Sequence, residues 1–572
     1  MRSLAAVLNW ITLATLLGLA FAFTPLRLTM ATSAAALAAA LVVVIASCLQ
    51  RRRPQIPCRQ QPDIVWPAMI LIFAAFALRA FLDNVFVADD SVCVLSPNNL
   101  GDACLHLTQI NFLARGPAFW PANPIFAFDK LHYPLGINLF NAELKLLGIT
   151  PRAGIVLVGL LGSVLTLCAL LKFNGPFGVA AFLFNGGLIG FTIFHTLTWK
   201  DYQAEVAWKA IPLAMFVTQR GLLYAIPVGL LLLTHWRSLF FEPQPGSTLP
   251  FWTECLLYCS LPLFHLHTFL FLSWFLLCWF LFGDPRWRRH VFRLVLVSFL
   301  PSTLLVYFVT GFEKTNSLGW CPGWMAKPGE PAWQFWLVNF GLFLPLTAAL
   351  LIYLIRPTPP IDRQERRLLR LFAFPAAGVL LACTFIKFAP WEWDNTKLIF
   401  WAYIVLMFCL WRAFLAHWPV WLRVPTIIIL FFSGFVSVAG DAVSTPRGGY
   451  EIGVAPEWKS VEEALKQTSP EAVFAGYPTY NHPVLVTGHR MVMGFPGHLW
   501  SHGLDYRSTE IDLNSFMAGS PEWRQIAQRL RIDYLFWGNF EQREYPQSTR
   551  PWEKECPVIA EGDWGRVFAV RK

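Results

Sequence analysis

Charge is scarce in this sequence. Only 14% of its 572 residues are Asp, Glu, Lys or Arg, against about 25% in an ordinary soluble domain. Hydrophobic residues make up 56% and aromatic residues 16%. A chain of this length has too little polar surface to clothe a water-soluble core, which excludes a soluble enzyme. With so few charges, and with Gly and Pro at 37 and 41 residues, disorder, collagen and coiled coil are excluded as well. There is no CxxC among the twelve cysteines, so neither a zinc nor a redox centre is suggested. A P-loop, a dinucleotide fingerprint, a nucleophile elbow in a fitting context and an internal repeat are all missing.

Long apolar runs are abundant. A bilayer-spanning helix needs about 20 mainly apolar residues, and such runs fall at 4–24, 27–48, 64–86, 153–173, 177–198, 209–234, 290–311, 333–355, 369–388, 396–415 and 420–440. The run 251–283 is too long for one span and is interrupted at Pro262 to His267. It reads as a helical hairpin with His265 and His267 at its tip. About 13 crossings result. The sequence therefore predicts an all-α polytopic membrane domain over 1–440, with a large first outer loop at 87–152, followed by a small extracytoplasmic α/β domain over 441–572.

Arginine distribution orients the chain. With the N-terminus in the cytoplasm, Arg51 to Arg53, Arg237, Arg286, Arg288, Arg289, Arg356, Arg363, Arg366, Arg367, Arg370, Arg412 and Arg423 all fall inside. The net charge of +10 is then a topology signal of a plasma (inner) membrane protein, and no nucleic-acid partner is needed to explain it. Ala20-Phe21-Ala22 loosely resembles a signal-peptide cleavage site, but a second apolar run follows almost at once.

The polar groups left at the outer ends of the spans form a short set of candidates. Asp102 and His106 are four residues apart, on one helix face. Asp102 opens its helix, where the dipole favours a carboxylate, and could act as a general base or a metal ligand. Asp89 and Asp90 are adjacent acids nearer the span. Asp394, Asn395 and Lys397 lie in one turn beside Trp391 and Trp393, where a lysine suits a phosphate as a point charge. His265 and His267 suit a metal or a phosphate oxygen. Arg220 falls inside an apolar run, where a cation faces a partner or a wet cavity. Asp201 and Glu205 add two acids, and Lys314 and Lys327 lie in the loop with Gly319-Trp320. Each also has a plainer reading as a helix cap, an aromatic anchor or a solvated charge. Cys93 and Cys104 share the outer loop and could pair in an oxidising compartment. His132 to Gly148 reads as an amphipathic helix on the membrane surface. In the tail, a helix is expected from Pro456 to Lys466 and another at Glu522–Leu530, with strands at Ala472–Phe474, Val484–Val486, Tyr534–Trp537 and Arg566–Val570. The Gly- and His-rich run 488–503 reads either as a pocket lining or as a loop of tight turns.

The run Asp102-x-x-x-His106-x-x-x-Ile110-x-x-Leu113-Ala114-x-Gly116, with Pro121 and Tyr133-Pro134 beyond, resembles the first outer loop of GT-C membrane glycosyltransferases. Protein O-mannosyltransferases, oligosaccharyltransferases and aminoarabinose transferases belong to that superfamily. The resemblance implies an enzyme that moves a sugar, usually with inversion, from a polyprenyl-phosphate donor in the membrane lipid to a protein, lipid or glycan hydroxyl outside. It implies a catalytic acid at Asp102 or, because adjacent acids are common in the motif, at Asp90, with His106 alongside. Lys397, Arg220, His265 and His267 would hold the donor phosphate, and Asp89, Asp394, Asn395 and Glu205 would line the pocket. A divalent metal ion is a candidate cofactor, without a convincing ligand cluster. The other class compatible with the composition is a transporter or a non-enzymatic membrane protein, but no symmetric halves are visible.

Overall fold

A computed structural model describes residues 1–49, 64–242, 248–312, 318–356 and 361–571. Arg51 to Arg53 and Lys314 lie outside the described residues. The protein is a bundle of apolar helices with a mixed α/β layer at one end. Helices α1 (Arg2–Ala22), α2 (Met30–Leu49) and α3 (Val65–Leu82) open the chain. A hairpin of β1 (Phe86–Ala88) and β2 (Ser91–Val94) follows, then α4 (Leu100–Ala114), α5 (Gly136–Leu146) and α6 (Pro151–Leu183). After the short α7 (Ile193–Thr196) come α8 (Leu222–Phe240), α9 (Phe251–Phe264), α10 (Leu266–Phe282) and α11 (Pro285–Thr310). The strand β3 (Gly319–Trp320) precedes α12 (Ala332–Phe340), α13 (Phe343–Ile355) and α14 (Arg363–Cys383), and β4 (Ile386–Lys387) precedes α15 (Thr396–Leu410) and α16 (Val420–Ser444).

Among the described residues, eight helices are long and apolar enough to cross a membrane. The helices α12 and α13 meet at 95° and would add a ninth only if the bent pair were one broken span instead of a re-entrant loop. The helices α9 and α10 are shorter. They fold back on one another as the expected hairpin, with Tyr258 Oη and Ser273 Oγ hydrogen-bonded at 2.8 Å across the break.

Two expected spans take another form. The run 177–198 stays helical only to Leu183. Asn174 and Gly175 (φ +61°) break α6, Pro176 starts the return, and the chain then runs through Gly186 and Gly187 into short turns. A Cβ on Gly187 would lie 2.1 Å from the Val338 carbonyl oxygen, so this backbone is packed directly against α12. Gly187→Ala is therefore expected to cost about 1–3 kcal/mol through overpacking, read as a lower thermal unfolding midpoint in detergent. The run 209–234 is divided by a π-turn at Pro212–Phe216 before α8 begins. Nor does α5 lie on the surface. Its residues Gly136 to Glu143 are all buried, and Phe140 meets Trp10 of α1 edge-on at 5.6 Å.

The arginine-bearing connections gather at one end of the bundle. Arg412 pairs with Glu242 (2.7 Å) and Glu365 (2.6 Å), and Arg367 pairs with Asp284 (2.7 Å).

At the other end, β5 (Tyr450–Val454) extends the β1–β2 hairpin as its third strand. Beyond it lie α17 (Ala455–Ala464), β6 (Val473–Ala475), α18 (Pro483–Val486), β7 (Arg490–Met491) and α19 (Pro496–Ser501). Further helices lead to β8 (Tyr534–Gly538), β9 (Val558–Gly562) and β10 (Gly565–Ala569). Five strands form one sheet in the order β7-β6-β8-β10-β9, parallel at β7-β6-β8 and antiparallel thereafter. Val484–Val486, expected as a strand, is helical. Pro483 takes the first helical position, and His482 caps it by accepting the Val484 N–H. The sheet also shares its core with the first loop. Ile125, Phe126 and Ala127 are buried against it, and the Ala127 N–H donates to the Val492 carbonyl at 3.0 Å.

Candidate functional site

Asp102 stands in the first turn of α4, half-buried. The chain enters this helix through a short turn at Pro97–Asn99 capped by Ser96. From Ala103 to Leu113 every residue of α4 is buried, so the helix is fixed among its neighbours and Asp102 is its one acid. Burial pushes the Asp102 carboxyl up to about 6, while the Lys397 ammonium and the Thr218 side chain pull it down and the Asp394 charge adds to the rise. That balance puts Asp102 within electrostatic reach of the Asp394–Lys397 turn, although Asp394 lies 292 positions further along the chain.

The turn itself is well held. Lys397 Nζ pairs with Asp394 Oδ2 at 2.9 Å. Asn395 is fully buried and does not face a pocket. It donates to the Cys383 and Ile386 carbonyls at 3.0 and 2.8 Å and accepts the Phe388 N–H at 2.9 Å, clamping the turn between α14 and α15. Trp393 is also buried and donates to the Ala207 carbonyl, so it is not an interfacial anchor. From above, β3 pairs with β4 and Trp324 Nε1 donates to the Glu392 carbonyl at 2.9 Å. This ties the loop that carries Lys327 down over the same turn.

The charge of Lys397 also reaches His265 and His267. His265 caps α10, with Nδ1 accepting the Thr268 N–H. Its Nε2 and that of His267 are buried without a partner, and the two rings lie 5.6 Å apart. Arg220, just before α8, donates to the Ile155 carbonyl at 2.8 Å and leaves Nε and Nη1 unpartnered.

His106 is a positioning group. Its Nε2 donates to the Thr218 carbonyl (3.1 Å) and its Nδ1 accepts from Asn138 (3.0 Å). Burial, with the nearby Arg220 cation, lowers its pKa to about 3, so it stays neutral and holds the Thr218 segment beside Asp102. Tyr133, named with Pro134 in the loop motif, and two histidines of the run 488–503 join this region. Tyr133 lies 5.5 Å ring to ring from His502 and 6.5 Å from His106, and its phenol is pushed up by burial and by the charges of Asp102 and Asp394. His498 stacks on His502 at 6.4 Å, and burial lowers the two to about 3 and about 4. The signal available was the Gly-His run 488–503. Its first part is structural: His489 is tied to Leu465 and Thr487.

Asp89 and Asp90 are elsewhere. They are exposed and form the tip of the β1–β2 hairpin with φ of +46° and +69°, the signature of a type I′ turn. Glu205 is exposed and pairs with Lys200, and Asp201 caps the turn before it. No interaction among the described residues joins any of these four acids to Asp102. Cys93 and Cys104 are buried free thiols.

Among the described residues, one histidine–carboxylate group has the spacing of a metal site: His235, Glu254 and His290, with ligand atoms within 4.8 Å of one another. His235 Nδ1, however, accepts the Leu249 N–H at 3.0 Å. The neutral ring then carries its proton on Nε2, the atom facing Glu254. Glu254 also accepts Trp236 Nε1–H at 2.6 Å and meets His290 Nε2 at 2.9 Å. In this tautomer three donors, His235 Nε2 at 3.4 Å, His290 Nε2 and Trp236 Nε1, face the Glu254 carboxylate.

No protein family matches the chain, and no curated protein does. Solved structures resemble it, two of them oligosaccharyltransferases. One is the apo crystal structure of the Archaeoglobus fulgidus oligosaccharyltransferase, with 13% identity over 83% of this chain and 70% of that one and a TM-score of 0.46. The other is the archaeal oligosaccharyltransferase AglB from Archaeoglobus fulgidus in complex with an inhibitory peptide and a dolichol-phosphate, with 13% identity over 83% and 69% and a TM-score of 0.40. Likeness at this level carries neither substrates nor residue roles across.

Proposed function

We propose that the chain is a GT-C-type membrane glycosyltransferase. It transfers a sugar from a polyprenyl-phosphate donor to an acceptor hydroxyl on the extracytoplasmic side, with inversion. The observation that carries this reading is the convergence of Asp102, held near pH 6, with the Asp394–Lys397 pair and the unpartnered nitrogens of His265 and His267. A base with that pKa is ionised at neutral pH yet basic enough to accept a proton in the transition state.

In this mechanism the Asp102 carboxylate takes the acceptor's hydroxyl proton as that oxygen attacks the anomeric carbon. The bond from carbon to phosphate oxygen breaks, and the leaving phosphate keeps the electron pair. Lys397 and the imidazole N–H groups of His265 and His267 stabilise that developing charge, with Arg220 as a further cation. Tyr133 and His502 flank the acceptor side.

The test is transfer from a radiolabelled polyprenyl-phosphate sugar in proteoliposomes. Glycosylated product that forms with wild-type protein supports the reading. Uptake of a free solute with no glycosylated product would overturn it in favour of a transporter.

A further inference from the structure

The bundle carries a second charged feature at the end away from Asp102. A cavity of about 990 Å³ is walled by α3, α6, α8, the end of α15 with its following turn, and α16. Along α6, Lys172 lies 17 residues beyond Ile155, the residue that receives Arg220. At 1.5 Å per residue this is about 26 Å, close to the thickness of a bilayer's hydrocarbon layer.

Four cations line this cavity: Lys172, Arg237, Arg412 and Arg423. Glu242 and Glu365 neutralise Arg237 and Arg412. Lys172 and Arg423 have no carboxylate partner among the described residues: the Lys172 side chain is hydrogen-bonded to the Met1 amine, which adds no negative charge, and Arg423 reaches the Ala416 carbonyl, at 3.5 Å. The wall beneath them is aromatic, with Phe177 stacked on Trp411 at 4.6 Å and Trp66 nearby. Val65 in the lining is exposed, as are Val424 and Ile428 next to it on α16, so the cavity adjoins the lipid-facing surface.

Two uncompensated cations call for an anion, and the aromatic slot calls for a hydrocarbon chain attached to it. We propose that this cavity binds a phospholipid with an anionic headgroup, its phosphate between Lys172 and Arg423 and an acyl chain against Trp66 and Trp411. Basic pockets between spans on the cytoplasmic side suit such lipids, and the arginine bias assigns this end to that side. The stretch 50–63 has a net charge of +3, from four arginines and one aspartate, so its overall charge does not complement the cavity. The site does not depend on the transfer reaction.

Native mass spectrometry of the full chain in zwitterionic detergent tests this, with phosphatidylglycerol, phosphatidylcholine and inorganic phosphate as probes. One tightly held phosphatidylglycerol is expected, not displaced by equimolar inorganic phosphate or by phosphatidylcholine. The double variant Lys172→Gln/Arg423→Gln should bind it about 30-fold more weakly, from about fivefold per interfacial charge. The charge-conserving Lys172→Arg/Arg423→Lys should restore binding at an unchanged unfolding midpoint. Equal binding of phosphatidylcholine, displacement by inorganic phosphate, or phosphatidylglycerol binding that appears only once residues 51–59 are deleted would each overturn the proposal. The first would leave a purely apolar groove, the second a free-anion site and the third a groove filled by the chain itself.

Discussion

Asp102→Asn is expected to abolish transfer while making the folded protein more stable. Loss of the proton acceptor should lower the turnover rate by about 10²–10⁴-fold. The stability change has the opposite sign. The fold holds the Asp102 carboxyl at about 6, against an ordinary 3.8, so the folded state resists its ionisation. Stability is therefore highest below about pH 4 and falls as pH rises towards 6. At pH 7 the cost is fully present, about 3 kcal/mol at most for a two-unit rise. Asn carries no charge and escapes it, so the variant should melt higher than wild type at pH 7 and match it at pH 4. A carboxylate present only to satisfy the helix dipole would lose stability on substitution. In the wild type the rate should climb through a midpoint near 6 and stay level above it. The opposite allocation of the base, with Asp90→Asn inactive and Asp102→Asn active, would remove Asp102 from the chemistry.

Lys397→Gln should produce the second large effect, a loss of about 10²–10³-fold in turnover, as expected when a group that stabilises developing charge is deleted. It should also displace the acid limb of the pH profile. Lys397 pulls the Asp102 pKa down and Asp394 pushes it up. The limb of Lys397→Gln therefore moves above 6, and that of Asp394→Asn moves below it. Measured as the pH dependence of kcat in the same proteoliposomes, opposite displacements identify one electrostatic unit. Displacements in the same direction, or none, would show that the pair only braces the turn between α14 and α15.

The parts of this arrangement that were legible in the sequence rest on local rules. The α9–α10 hairpin is encoded by Pro262 and the two histidines at an interruption of an apolar run. The placement of Asp102 in a first helical turn follows from the residues around it. What was hidden depends on contacts distant in the chain. Gly186 and Gly187 look like ordinary residues of a span until Val338 and Ser433 close on them, and that approach is what turns a crossing into a chain of short turns. Asn395 and Asp394 are neighbours of the same polarity, yet one faces three backbone groups and the other faces Lys397, a division that only the packing of α14 on α15 decides. The α5 segment has an amphipathic pattern, but its polar side is buried against α4 instead of solvated: Asn138 donates to Gln109 at 2.6 Å. Adjacent acids drew attention to Asp89-Asp90, where positive backbone angles in a hairpin turn are the reason for short polar side chains.

The joint between the first loop and the distal sheet sets a clock on assembly. Ser91 on β2 bonds Glu451, 360 residues later in the chain, and β5 cannot dock until it has been made. At about 5–20 residues per second of synthesis, the β1–β2 hairpin and the 122–127 segment wait roughly 20–70 seconds for their partners. During that interval α4 has α5 beside it but lacks α18, where Asn111 donates to the Val486 carbonyl at 2.6 Å, and His498 and His502 are not yet made. The groups around Asp102 are thus incomplete on a ribosome-bound chain until most of it has emerged, and a truncation before β5 would insert into the membrane as helices without ever completing them.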